Sequence, residues 1–81
     1  MTSLDALPLH APATITALNL SEREATWLRA VGLSEGCLVT VLRKAPLSGP
    51  LHVRVAEYTE LAIDRELALY VEVTPASGAA P

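Results

Sequence analysis

Residues 51–55 read Leu-His-Val-Arg-Val and residues 69–74 read Leu-Tyr-Val-Glu-Val-Thr. Aliphatic side chains recurring at every second position fit a strand with one dry face and one wet face, because successive strand side chains point to opposite sides. Ala13 to Leu18 repeats the pattern, with Thr14 and Thr16 alternating with Ile15 and Ala17. Leu38 to Leu42 is β-rich, and Leu61-Ala62-Ile63 forms a shorter aliphatic run. Five short strands in a chain of 81 residues leave room for one domain only.

Between the first two strands stands one helix. Ser21-Glu22-Arg23-Glu24 is a capping box: the Ser21 hydroxyl accepts from the Glu24 amide, and the Glu24 carboxylate reaches back to the Ser21 amide. Trp27, Leu28 and Val31 follow at helical spacing as one apolar stripe. Gly32 stands where a left-handed C-terminal residue is wanted, so the helix is expected over Glu22–Val31.

The breaks are as informative as the runs. Thr2–Leu9 reads as a lead-in, with Ser3 capping one turn over Leu4, Asp5 and Ala6 before Pro8 forces extended backbone. Gly32 and Gly36 bracket a turn, and Ala45–Pro50 places two prolines around a glycine between two antiparallel strands. Glu57–Glu60 reads as a turn and Asp64-Arg65-Glu66 as one helical turn. Pro75–Pro81 contains only Ala, Ser, Gly and Pro, so the folded domain is expected over residues 1–74 with a disordered tail over 75–81. The pattern is mainly β, and five strands with one inserted helix fit a small barrel, in which closure removes exposed edges.

Composition narrows the function. With no Phe, one Trp and two Tyr, the core must be aliphatic. The net charge of −3 and the scatter of six basic residues argue against nucleic acid, whose binders concentrate positive charge against phosphates. No apolar run approaches the roughly 20 residues that span a bilayer. No basic stretch precedes an apolar one as in a signal peptide, so the expected location is the cytoplasm. The single Cys37 cannot make an internal disulfide and reads as an inert thiol in a strand-like stretch.

Catalysis finds little to work with. Ser21 is committed to the helix cap. His10 and His52 are isolated from each other and from Cys37, at no metal-ligand spacing, and are at most adventitious surface ligands. Neither paired-carboxylate motifs nor phosphate-binding glycine loops occur. The chain is therefore expected to be no enzyme, to need no cofactor, and to act by surface complementarity. The apolar residues assigned to loops and the helix edge, Trp27, Leu33, Leu47 and Tyr58, are the expected partner-binding patch.

Three segments in order resemble the FeoA family. Leu28–Gly36 (LRAVGLSEG) resembles its helix end with a glycine-leucine pair and a second glycine. Ala45–Val53 (APLSGPLHV) resembles its Ala-Pro-Leu-Gly-Asp-Pro loop and following strand, and Leu61–Val73 (LAIDRELALYVEV) is similar to its closing segment. Leu7-Pro8-Leu9 also fits, so the resemblance spans about residues 4–74. The chain departs from the family pattern at four places. Ser48-Gly49 replaces the usual Gly-Asp, and Asp64 replaces an Arg. The turn around Glu57 is one residue longer and lacks its glycine, and His10 replaces a glycine after Leu9.

The resemblance implies an SH3-like five-stranded barrel with an added helix. It implies a bacterial accessory protein of ferrous iron uptake whose partner is the cytosolic GTP-binding domain of a FeoB-type membrane transporter, with no membrane insertion of its own. A weak homodimer stays open. The alternative function is a carrier or sensor of ferrous iron through His10, His52, Cys37 or Glu57, although strong binding draws on several converging ligands. Recognition of proline-rich peptides is a third reading, set back by the scarcity of the aromatic rings that line such grooves.

Overall fold

In a computed structural model, which describes residues 2–76, the chain forms one antiparallel sheet of six strands with a helix between the second and third. The elements are β1 (Thr2–Ser3), a 3-10 turn over Leu4–Ala6, β2 (Ala13–Leu18), α1 (Glu22–Ala30), β3 (Leu38–Lys44), β4 (Leu51–Val55), β5 (Thr59–Ile63), α2 (Arg65–Ala68) and β6 (Val71–Pro75). Strand order in the sheet is β1-β6-β2-β3-β4-β5.

The alternating runs do what their period requires. Ala13 and Ile15, Val39 and Val41, Leu51, Val53 and Val55, Ile63, and Val71 and Val73 all point into one core that Leu4, Leu7, Leu28, Leu33 and Ala68 complete. The inward faces of all the strands from β6 to β5 meet in that one core, which a flat sheet could not do. Two bulges help the sheet bend: Thr16 is the extra residue between β2 and β6, and Leu42 between β3 and β4. The Thr16 hydroxyl donates to Glu72 O at 3.1 Å across the first of them.

Five strands in a hydrogen-bonded barrel were expected; the structure has six, and the ladder is open. Thr2–Ser3 pairs with Val73 and Glu72 as an added edge strand, and β5 is the opposite edge. No strand hydrogen bonds join β1 to β5 among the described residues. A side chain next to β5 reaches the segment after β1 instead: Arg65 at the start of α2 donates to Asp5 Oδ1 at 3.1 Å, and Lys44 Nζ, from the interior strand β3, donates to Asp5 O at 3.0 Å.

The ends of α1 follow the capping logic with two differences. The Glu24 amide donates to Ser21 Oγ at 3.2 Å as expected, but the Glu24 carboxylate accepts from the Ser21 hydroxyl rather than its amide. The helix stops at Ala30 with Val31 as its cap. Gly32 has φ +107°, its amide donates to Arg29 O, and the Leu33 amide donates to Leu28 O at 2.9 Å. These two bonds define a Schellman motif, in which the residue after the glycine folds back on the helix. At the other end of the chain, Pro75 still pairs with Ala13, and the Ala76 amide donates to Pro12 O at 3.0 Å. The tail expected over 75–81 falls outside the described residues from 77 onward.

Candidate functional site

The Ala45–Pro50 loop is a tight turn with an unusual occupant. The Gly49 amide donates to Pro46 O at 3.1 Å, and the two central residues, Leu47 and Ser48, have φ +60° and +58°. That is the signature of a type I′ turn, which favours Asn and Gly because an L-residue in left-handed backbone costs roughly 1–2 kcal/mol. Gly49 is needed for another reason: a Cβ there would lie 2.8 Å from Ala45 Cβ. The Leu47 side chain is 99% exposed at the tip.

Arg65 holds this turn from below. Its Nε and one terminal nitrogen donate to Gly49 O and Ala45 O, each at 3.3 Å, while the other terminal nitrogen meets Asp5. One side chain thus fastens both ends of the turn to α2 and to the N-terminal segment. The carbonyls on both sides of the turn are thereby bonded, and the Leu47 side chain stands free at its tip.

The remaining members of the expected patch do not join Leu47. Leu33 is fully buried, because the Schellman motif drives it against Leu28 in the core. It is a core residue and not a surface one. Tyr58, 89% exposed, lies in the turn between β4 and β5, at the opposite end of β4 from Leu47. Five residues of strand separate the ends of β4 by roughly 16 Å. Trp27 is 51% exposed, so the expected Trp27, Leu28 and Val31 stripe narrows to Ala25 and Leu28 as the buried face of α1. The C-terminal end of α1 lies at the Tyr58 end of β4, where Gly32 faces Val55 Cγ1.

A different pair of apolar residues accompanies the tip. Leu69, expected to face inward at the start of the last strand, instead caps α2 in helical backbone and is 50% exposed. β6 begins two residues later, and Tyr70 is 54% exposed. Leu69 borders a cleft whose other wall is Ser48, Gly49 and Pro50, and two further clefts shared with Tyr70. The alternation of residues 69–74 carries no local signal against an inward Leu69; its helical backbone at the end of α2 turns the side chain outward.

The isolated ionisable residues remain apart. His10 is exposed with φ +64°, and its amide donates to Val41 O at 2.7 Å. His52 Nε2 is 3.3 Å from Glu60 Oε1, with Arg43 facing its Nδ1 at 3.4 Å. Cys37 is half-buried just before β3, its Sγ 3.2 Å from Ser34 Oγ, and Glu57 is exposed in the β4–β5 turn. Among the described residues no three His, Cys, Asp or Glu side chains converge as metal ligands. Near the end of α1, Arg29 clasps Glu35 with two hydrogen bonds, at 3.1 and 2.9 Å. Those bonds, aided by Glu35's own backbone, hold its carboxyl down to about 2. No helix among the described residues is long and apolar enough to cross a membrane.

Comparison with known proteins agrees with this geometry. The FeoA domain profile matches residues 2–75. No curated protein matches the chain. Among solved structures, the FeoA protein from Chlorobium tepidum superposes with a TM-score of 0.87 at 26% identity, over 98% of this chain and 74% of that one. The FeoA of Stenotrophomonas maltophilia, an SH3 domain protein solved with zinc, shares 31% identity over 90% of this chain and 89% of its own, with a TM-score of 0.71. A manganese-dependent transcriptional repressor matches at TM-score 0.80 and 14% identity over 36% of its length, a likeness of fold alone. The fold is SH3-like and mainly β.

Proposed function

The chain belongs to the FeoA domain family, associated with ferrous iron transport, and on that footing we propose that it is a non-catalytic accessory module that docks on the cytosolic GTP-binding part of a FeoB-type iron transporter. The observation that carries this reading is Leu47. A fully exposed leucine in left-handed backbone favours neither folding nor the turn, and strain of this kind clusters where a residue is presented to something else. An exposed apolar tip on a clamped turn keeps the ordering cost of binding small.

The test is calorimetric titration of the purified transporter's cytosolic domain with this protein and with Leu47→Asp. Expected is measurable binding for the wild type and its loss in the variant, with unchanged circular dichroism. Full affinity in the variant removes the tip from the interface.

The alternative of an iron carrier or sensor draws on one observation, the approach of His52 to Glu60. Two ligands fall short of the sets that hold divalent transition metals firmly. Anaerobic titration with Fe²⁺ separates the readings, since one site of micromolar affinity or better favours the carrier.

A further inference from the structure

Leu69 and Tyr70 form an exposed apolar ridge between two clefts of about 360 and 370 Å³. Glu72 stands in the wall of one, and Glu24 and Glu66 in the wall of the other, where Leu20 and Leu67 supply further apolar surface. Among the described residues no basic side chain lines either cleft. The four ion pairs among the described residues use Arg29 with Glu35, His52 with Glu60, Arg54 with Glu60, and Arg65 with Asp5. The three carboxylates of the ridge are in none of them. Among the described residues the Glu72 carboxylate accepts only from Asn19, at 3.3 Å, and the Glu24 carboxylate only from the Ser21 hydroxyl. Acidic groups left without counterions around an apolar ridge make a surface complementary to apolar residues flanked by cations.

We propose that the Leu69–Tyr70 ridge is a docking site for a basic amphipathic segment of a partner protein, whose apolar side chains enter the two clefts while its Lys or Arg residues meet Glu24, Glu66 and Glu72. Apolar anchors supply most of the affinity in such an arrangement, and the charges supply orientation, encounter rate and salt dependence. The inference rests on the docking reading in that both concern a protein partner, but it names a second surface and can be tested without the transporter.

The probe is a fluorescein-labelled amphipathic helix of leucine and lysine, with a leucine–glutamate counterpart of the same length as control, followed by fluorescence anisotropy. The lysine peptide is expected to bind the full chain and the glutamate peptide to fail. Leu69→Asp and, independently, the wholly surface change Glu66→Lys are each expected to weaken binding by about tenfold. Binding should also weaken as salt rises from low to physiological strength. Leu47→Asp should leave peptide affinity unchanged, so that loss of transporter binding and loss of peptide binding report on different surfaces. Equal binding of both peptides, or full affinity in Leu69→Asp and Glu66→Lys, overturns the proposal. So does concentration-dependent self-association abolished by Leu69→Asp, which assigns the ridge to a second copy. Binding to vesicles of neutral phosphatidylcholine that Leu69→Asp abolishes overturns it in favour of a lipid surface.

Discussion

Asp5 and Arg65, 60 residues apart in the chain, meet at 3.1 Å across the open border of the sheet. The same guanidinium reaches Ala45 O and Gly49 O, so a single residue ties the N-terminal segment, α2 and the loop that carries Leu47. A hydrogen-bonded barrel would close this seam with backbone; here side chains close it.

Arg65→Met should therefore cost more than a surface ion pair. It strands two carbonyls and a carboxylate that are only partly solvated, a loss of about 1–3 kcal/mol. Urea denaturation should show the lower midpoint. A double-mutant cycle with Asp5→Asn should give a coupling clearly above zero. Stability within error of wild type would mean that the seam does not depend on this residue.

Leu33→Ala is expected to destabilise by about 2–5 kcal/mol, as for any fully buried leucine. Thermal unfolding distinguishes this from a surface role, under which the midpoint would scarcely move. The outcome decides whether a loss of partner binding on changing Leu33 reports contact or unfolding.

Four non-glycine residues among those described occupy left-handed backbone: His10, Leu47, Ser48 and Ala56. Ala56 has φ +59° in the β4–β5 turn, and its own methyl is exposed and fills no core position. Ala56→Gly should remove the steric penalty and give back part of it as chain entropy, for a net stabilisation of about 0.5–1 kcal/mol. A chemical denaturation midpoint that falls instead of rising would contradict the turn geometry.

Glu35 titrates near 2 in the folded chain, against an ordinary value of 4.5, because Arg29 hydrogen-bonds its carboxylate. A depressed folded value means that the unfolded chain binds more protons in between. The pair's contribution is fully present above pH 4.5 and is lost as pH falls toward 2. Glu35→Gln should lower the plateau above pH 4.5 slightly and converge with the wild type as pH falls toward 2, which flattens the acid limb in that window. Both side chains are solvent-exposed, so the difference will be small.

The period-two runs told which side chains of β2, β4 and β6 point inward, and the structure buries Ile15, Val53 and Val73 accordingly, whereas the β-rich run of β3 left its inward face, Val39 and Val41, unassigned. The α1 cap and the glycine after its end were equally legible, since both are encoded within a few neighbouring residues. Leu33 was legible in part. Once Gly32 is the left-handed residue, the next side chain is expected to fold back on the helix, and placing it on the surface overlooked that corollary. Leu69 was not legible, because a helical turn and a strand share it, and only the packing of α2 decides which backbone it takes.

Sequence alone determined the element order, the inward faces of β2, β4 and β6, and the helix ends, because each depends on interactions spanning a turn or two of chain. Tertiary structure alone decided that a sixth strand borders the sheet, that Arg65 rather than backbone ties its seam, and that Leu69 faces outward from the end of α2. Those outcomes depend on how distant segments align to fill one small core, and strand register between segments far apart in the chain is set by that shared burial rather than by any local run.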